Sequence, residues 1–213
     1  MQQLSFGNIV QSAMAIGSRN AASLVGAIIL WLVTFWIPYL NVGTTIGLIG
    51  IVAKMGRGSA ISPTEIFDPA YRKQMGEFFL VMIFVTMGVY IGVAFLVIPG
   101  IVISLAWLLA PLLVLDKGVN PIESLKQSND LMDGHKAAVF FAQFAVNLGG
   151  MIVVGIIMAI AGAINVGALT GLAMLVCLAI YVIMITANLG VTAHVYSVLV
   201  EADAPAPAAP AAE

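Results

Sequence analysis

The sequence predicts an all-α protein that crosses a lipid bilayer several times. Of its 213 residues, 62% are hydrophobic and only 8% are charged, whereas a soluble domain carries about 25% charged residues. A water-soluble fold of this length cannot bury so much apolar surface, because surface grows too fast relative to volume. The apolar residues fall in long runs, and about 20 such residues in a helix cross the hydrocarbon core. We therefore expect a polytopic transmembrane helical bundle.

The first twenty residues lack the basic and apolar segments of a cleaved signal. Their apolar residues recur at helical spacing, with polar residues on the other side, which is typical of an amphipathic helix on the membrane surface. The alternative is that these residues form the first turns of a longer helix that continues into the first span. The apolar face comprises Phe6, Ile9, Val10, Ala13, Ile16 and Gly17.

Six apolar runs follow within a single membrane domain of residues 1–200. The second and fourth are short, so each either borrows a turn from its flanks to cross or forms a re-entrant half-helix. The expected spans are residues 21–40, 43–56, 76–98, 101–115, 137–164 and 167–192. We expect the Ala- and Pro-rich tail, residues 201–213, to be disordered.

The positions of the basic residues favour six crossings. With six, all eight lie on one side of the membrane: Arg19, Lys54, Arg57, Arg72, Lys73, Lys117, Lys126 and Lys136. The opposite connections, Asn41-Val42-Gly43, Pro99-Gly100 and residues 165–167, carry no charge. The positive-inside rule then places both termini in the cytoplasm. We expect three helical hairpins in a cell inner membrane.

Both long cytoplasmic loops contain a helix-start signal. Ser62-Pro63-Thr64-Glu65 and Asn120-Pro121-Ile122-Glu123 each place a capping residue before Pro, with Glu at the third helical position. The second helix is expected to run to about Asp133, before Gly134. With Ile122, Leu125 and Met132 on one face, it is predicted to lie along the bilayer surface as an interfacial amphipathic helix.

A polar cluster is predicted within the fifth and sixth spans. Antiparallel neighbours would bring two polar faces to the same depth in the cytoplasmic half of the membrane. Hydrogen bonding between the helices is the favoured interpretation, and a polar vestibule for a solute or a lipid headgroup is the alternative. The cluster consists of Gln143, Asn147, Asn188, Thr192 and His194.

Two faces of small residues predict close helix packing. One is the Gly88-x-x-x-Gly92 motif, and the other places Gly155, Ala159 and Ala163 at four-residue steps. Such faces let helices approach closely. Packing within the chain is the favoured interpretation, and a homodimer face is the alternative.

Several function classes have little support in the sequence. No Asp, Glu, Lys or Arg falls in the middle of a predicted span, since Lys54 and Glu77 lie at the cytoplasmic ends of theirs, and this counts against an ion-coupled transporter. No nucleophile elbow, P-loop or dinucleotide fingerprint is present, so we expect neither an enzyme nor a cofactor. The single cysteine, Cys177, and two histidines do not predict a metal site. A net charge of −2 argues against a nucleic-acid partner.

Residues 98–136 have a recognisable pattern. They contain Pro99-Gly100, an apolar span, Asp116, and a surface helix with Ser124-Leu125-Lys126-Gln127-Ser128 that ends near Gly134. This segment resembles the uncharacterised YciC-like bacterial inner-membrane proteins, and it is similar to the membrane domain of some glycerophosphodiester phosphodiesterases. The resemblance implies a six-span helical protein of unknown molecular activity. It carries over no active site, and the chain has no phosphodiesterase domain.

These patterns favour a non-catalytic accessory or envelope scaffold protein that acts through the lipid bilayer, a membrane-protein partner or a second copy of itself. The rival is a small permease or lipid-handling protein that uses the polar cluster, and it requires a water-accessible cavity there. An intramembrane enzyme would require acid and base groups to meet at the cytoplasmic surface, for example His135 with Asp116 or Asp133.

Overall fold

The computed structural model describes residues 4–164 and 167–202, and this part of the chain is helical with no strand. The all-α prediction is therefore confirmed. Two short 3-10 helices, Pro63–Phe67 and Pro69–Gln74, lie between the second and third α-helices. The α-helices are α1 (Phe6–Thr34), α2 (Pro38–Gly56), α3 (Met75–Phe95), α4 (Val97–Ala106), α5 (Ala110–Lys117), α6 (Pro121–Leu131), α7 (Lys136–Ile164) and α8 (Gly167–Ala202).

The amino-terminal segment belongs to one long helix. Residue Ser5 caps it by accepting a hydrogen bond from the Asn8 backbone N–H, and the helix then continues without a break to Thr34. The predicted separate surface helix is therefore wrong, and the longer helix is correct. Residues such as Ile9 and Ala13 are buried against other helices, which explains why an amphipathic pattern precedes the apolar run.

The turn between α1 and α2 lies earlier than predicted. It occupies residues 35–37, and Asn41-Val42-Gly43 lies inside α2 instead of forming the connection. Pro38 starts the helix because its fixed φ suits the first helical position. The hydroxyls of Thr34 and Thr44, 3.0 Å apart, then join the two antiparallel helices.

The segment after α2 folds back against that helix. Gly47 and Gly50 let it approach, because an added Cβ would lie 2.2 Å from the backbone oxygen of Ile66 at Gly47 and 2.3 Å from the Tyr71 ring at Gly50. The predicted capping box at Ser62 and Glu65 is present, although the helix it starts is a 3-10 helix. This loop is thus a packed part of the fold.

Helices α3 and α4 form an antiparallel pair whose turn is the extended residue Leu96, and Pro99-Gly100 lies inside α4 instead of forming the turn. Gly92 faces Gly100, and an added Cβ there would lie 2.9 Å from the Gly100 backbone. Gly88 similarly faces the Trp107 ring. The prediction that Gly88 and Gly92 allow packing within the chain is confirmed.

The fourth apolar run is broken. Helix α4 ends at Ala106, and α5 begins at Ala110. Ser128 of α6 bridges the break: its hydroxyl accepts from the Leu109 N–H at 3.1 Å and donates to the Ala106 carbonyl at 2.7 Å. A buried side chain thereby satisfies two backbone groups that the broken helix leaves unpaired.

Helix α6 ends at Leu131, two residues before the predicted boundary, and Gly134 adopts a positive φ of 74° in the following turn. Of the residues on the predicted apolar face, Met132 is buried within the protein and Ile122 is exposed. The buried face instead carries the small residues Ser124 and Ser128. Small side chains on this face allow α6 to approach the α4–α5 break closely.

Helices α7 and α8 are long, antiparallel and apolar on their outer surfaces. An added Cβ at Gly150 would clash with the Met184 side chain, whereas one at Gly155 would meet nothing within 4 Å. Ala159 and Ala163 are also exposed. The prediction that this second small-residue face packs within the chain is therefore wrong. Residues 165–166, in the predicted connection, and residues 203–213 of the predicted tail lie outside the described residues, whereas residues 201–202 continue α8.

The buried core is concentrated at one end of the molecule, which we call the base. There the carboxyl ends of α2, α5 and α8 meet, joined through Arg57, Asp116 and Tyr196. Away from the base, the helices expose most of their apolar side chains. In the described part of the chain, five stretches are long and apolar enough to cross a membrane, and α2 is not among them: Phe6–Thr34, Pro63–Phe95, Val97–Lys117, Lys136–Ile164 and Gly167–Val200.

Candidate functional site

The polar residues predicted on α7 and α8 meet in the structure. The side-chain nitrogen of Asn147 donates to the side-chain oxygen of Asn188 at 3.2 Å, and Asn188 returns the bond at 3.3 Å. Antiparallel packing of the two helices produces this reciprocal pair, because it places the two residues at the same depth.

Both amide groups of the pair use all their donors. Each NH₂ group has two N–H bonds. The second N–H of Asn147 bonds to the Gln143 carbonyl at 2.7 Å, and that of Asn188 bonds to the Met184 carbonyl at 2.8 Å. No N–H remains to bind a solute. The arrangement fastens α7 to α8, as the interpretation of hydrogen bonding between the helices requires.

The other three residues of the predicted cluster do not join this pair through their side chains. The Thr192 hydroxyl donates to the Asn188 carbonyl within α8 at 3.1 Å. His194 is half-buried, and its backbone carbonyl accepts from the Ser197 hydroxyl. Among the described residues, the Gln143 side-chain amide makes no hydrogen bond.

Gln143 instead lines a surface groove between α4 and α7. The groove has a volume of about 270 Å³, and its remaining lining is mostly apolar. All of its lining residues belong to α4 and α7, so it is a groove between two helices. The lining residues are Ile101, Ser104, Leu105, Phe140, Gln143, Phe144 and Asn147.

A second polar site, which the sequence analysis did not predict, lies at the base. The Asp116 carboxylate accepts from the Tyr196 hydroxyl at 2.8 Å and from Arg57, whose Nη1 is 3.3 Å from Oδ2 and whose Nη2 pairs with Oδ1. The side chain of Asp116 is only 10% exposed. A carboxylate this deeply buried needs such partners, because burying an unpaired charge is costly.

A second ion pair lies beside the first. Lys54 contacts Glu65 at 2.9 Å, and it lies three residues before Arg57, which caps the carboxyl end of α2. Lys54 and Arg57 border a pocket of about 320 Å³, whose lining also includes Gly50, Tyr71, Leu115 and Asp116. The base therefore contains two cations, each paired with a carboxylate, around a pocket.

Sequence reasoning missed this site because its members are far apart in the chain. Arg57 and Asp116 are separated by 59 residues, and Asp116 and Tyr196 by 80. One signal was available. In the predicted threading, Asp116 follows an apolar span directly and lies on the same side as the basic residues, which are the residues that can pair with it. His135 and Asp133, the other groups considered for acid–base chemistry, lie after α6, and Asp133 pairs with Lys136 at 3.7 Å.

Among the side chains described, those of residues 4–164 and 167–200, no three His, Cys, Asp or Glu come together as metal ligands would. The single cysteine, Cys177, is a free thiol on α8. Comparison of the chain with protein-family models, with curated proteins and with solved structures finds no match in any of the three.

Proposed function

We propose that this chain is a non-catalytic accessory or scaffold protein of the bacterial inner membrane that acts through lipid or protein partners. The observation that carries this proposal is the use of every N–H of Asn147 and Asn188 between α7 and α8. The amide pair thereby fastens α7 to α8 and itself offers a solute no donor.

The proposal includes six crossings with both termini in the cytoplasm. Helix α2 is the sixth crossing: its 19 residues extend about 28 Å at 1.5 Å per residue, close to the hydrocarbon thickness. With six crossings the base faces the cytoplasm, and the charges of Lys54, Arg57 and Asp116 lie at that surface. The resemblance of residues 98–136 to the YciC-like proteins supports the same arrangement.

In this arrangement, the contacts between α1 and α8 support a position of the amide pair near the cytoplasmic side. An added Cβ at Gly190 would lie 2.9 Å from the Ala13 carbonyl, so these residues are level. Arg19 follows Ala13 by six residues along α1, which places it about 9 Å farther from the base at 1.5 Å per residue. Asn188 is only two residues from Gly190 and so lies nearer the base than Arg19. The amide pair then lies near the cytoplasmic interface.

The exposed side of α7 supports action through partners. Gly155, Ala159 and Ala163 leave room for a second helix, and no helix of this chain occupies that room in the described residues. Small residues at four-residue spacing let membrane helices pack closely. A membrane-protein partner or a second copy of this chain would bury this face.

A lipid-handling role is the second candidate. It is favoured by the Gln143 amide, which lines the groove between α4 and α7 and, in the described part of the chain, makes no hydrogen bond. In this role the amide would bind the ester region of a lipid, and the apolar lining would contact an acyl chain.

Native mass spectrometry of the full chain extracted in lipid nanodiscs tests these candidates. The accessory or scaffold function predicts a stoichiometric protein partner or a second copy, which is lost when Ala159→Leu fills the exposed face. Leu172→Ile, at an exposed position on α8, is the matched control and should keep the partner. A lone chain that retains one small molecule or lipid, released by Gln143→Ala, would instead establish the second candidate.

A further inference from the structure

The pocket at the base has donors that the fold leaves available. Lys54 lies in the last turn of α2, Arg57 caps the end of that helix, and both line the pocket. Their side chains are 42% and 43% exposed, although each is paired with a carboxylate. An ammonium group has three N–H donors and a guanidinium group has five. Glu65 takes one donor of Lys54, and Asp116 takes two of Arg57.

Tyr71 also lines this pocket and carries a third donor group. Tyr71 packs its ring over Gly50, and its hydroxyl makes no hydrogen bond among the described residues. The carboxylate in the lining, Asp116, is already engaged by Arg57 and Tyr196, and little of it is exposed. An incoming anion therefore meets an ammonium, a guanidinium and a phenol.

We propose that this pocket binds the phosphate group of an anionic phospholipid, with Lys54, Arg57 and Tyr71 as donors. Arginine and lysine are the side chains that bind phosphate oxygens most strongly. The volume of about 320 Å³ accommodates a phosphate group and part of its headgroup. This inference depends on one part of the proposed function, namely that the base lies at a bilayer surface.

The neighbouring surface favours a lipid over free phosphate. Helix α3 begins four residues after Tyr71, and its first turns expose Met75, Phe79 and Leu80. A phospholipid held at the pocket would have its acyl chains beside these apolar side chains. Free inorganic phosphate would gain nothing from them.

Lipid retention by the full chain tests the assignment. The protein is placed in nanodiscs of phosphatidylcholine with a minor fraction of phosphatidylglycerol, and retained lipids are counted by native mass spectrometry. The wild-type chain should retain one phosphatidylglycerol. Lys54→Gln should lower the retained fraction about tenfold, the effect of removing one charge-assisted bond, and Tyr71→Phe should lower it less. Lys54→Arg should keep the lipid.

Lys126→Gln is the matched control, because it removes the same charge from an exposed position on α6. Equal retention by Lys54→Gln and Lys126→Gln, or equal retention of neutral and anionic lipid by the wild-type chain, would overturn the assignment. Thermal unfolding of each variant shows whether it folds. If Lys54→Gln does not fold, lipid retention by Tyr71→Phe decides the test. Displacement by millimolar inorganic phosphate would identify free phosphate as the ligand, and resistance would identify the lipid.

The test of the phosphate site can fail independently of the test of the proposed function. A chain that binds a protein partner but retains no anionic lipid would overturn the phosphate site and leave the accessory or scaffold function intact. A chain that retains phosphatidylglycerol through Lys54 with neither a protein partner nor a second copy would support the phosphate site and contradict the protein-partner form of that function.

Discussion

The hydroxyl of Tyr196 donates a 2.8 Å hydrogen bond to Asp116, and this bond joins α8 to α5 across 80 residues of sequence. Arg57 at the end of α2 pairs with the same carboxylate. The carboxyl-terminal parts of α2, α5 and α8 are thus joined at the buried carboxylate of Asp116. The rest of the buried core surrounds this end of the molecule, and the apolar helices extend away from it.

Replacing Tyr196 with Phe removes one bond to that carboxylate and keeps the ring. We expect the free energy of unfolding to fall by about 1.5–3 kcal/mol, the contribution of a hydrogen bond to a charged group. The midpoint of thermal unfolding in mild detergent measures the effect. Tyr90→Phe, at an exposed position on α3, is the control. Equal midpoints for the two variants would show that the bond does not stabilise the base.

Replacing Ser128 with Ala leaves the Leu109 N–H and the Ala106 carbonyl without their partner. Each buried polar group left unpaired costs about 1–3 kcal/mol, so we expect a lower unfolding midpoint. We also expect faster proteolysis near the break between α4 and α5. Ser18→Ala, at an exposed site where the hydroxyl bonds only within its own helix, should be close to neutral. A Ser128→Ala variant as stable as Ser18→Ala would contradict the bridging role.

The amide pair is tested by a double-mutant cycle. With Asn147→Ala, Asn188→Ala and the double variant, we expect a favourable coupling of about 0.6–1.7 kcal/mol, as is found between membrane helices. Unfolding by sodium dodecyl sulfate in bicelles gives the four free energies. A coupling near zero would mean that the pair does not fasten α7 to α8, which would remove the main support for the proposed function.

Alanine substitutions at Gly47 and Gly155 compare a glycine in close contact with a neighbouring segment and a glycine on an open helix face. At Gly47 an added Cβ would lie 2.2 Å from the Ile66 backbone oxygen, so Gly47→Ala must displace the 3-10 helix from α2. We expect a loss of roughly 1–3 kcal/mol from such overpacking. At Gly155 nothing lies within 4 Å, and Gly155→Ala should stabilise the helix by up to about 1 kcal/mol. Thermal unfolding compares the variants, and the reverse order would contradict the packing of the loop.

The sequence predicts the helical class, the capping box and one of the two packing motifs, because these depend on local signals. Composition indicates a membrane protein, Ser62 and Glu65 form the expected capping box, and Gly88 and Gly92 allow the expected close approach. The meeting of Asn147 and Asn188 follows from the antiparallel order of two adjacent helices. Each of these features is encoded within a few residues or by neighbouring elements.

Tertiary contacts determine the features that the sequence did not predict. The α1–α2 turn was misplaced because Asn41 and Gly43 are turn formers, yet Pro38 and the contact between Thr34 and Thr44 start α2 earlier. The break after Ala106 depends on Ser128, which lies 22 residues away. Neither contact has a signal in local composition.

The arrangement of Asp116 required long-range information of the same kind. Its two partners come from α2 and α8, so no spacing in the chain identifies them. Likewise, Gly155, Ala159 and Ala163 resemble an internal packing face, and only the positions of the other helices show that this face is open.

Cysteine labelling tests the six-crossing arrangement most directly. In a Cys177→Ser background, single cysteines replace Tyr39, Leu96, Ala60 or Asp133, all exposed, and a membrane-impermeant maleimide is added to intact bacterial spheroplasts. We predict that the cysteines at 39 and 96 react from outside, whereas those at 60 and 133 react only after permeabilisation. If α2 did not cross, positions 39 and 96 would lie on opposite sides, and labelling of only one of them in intact spheroplasts would contradict the account.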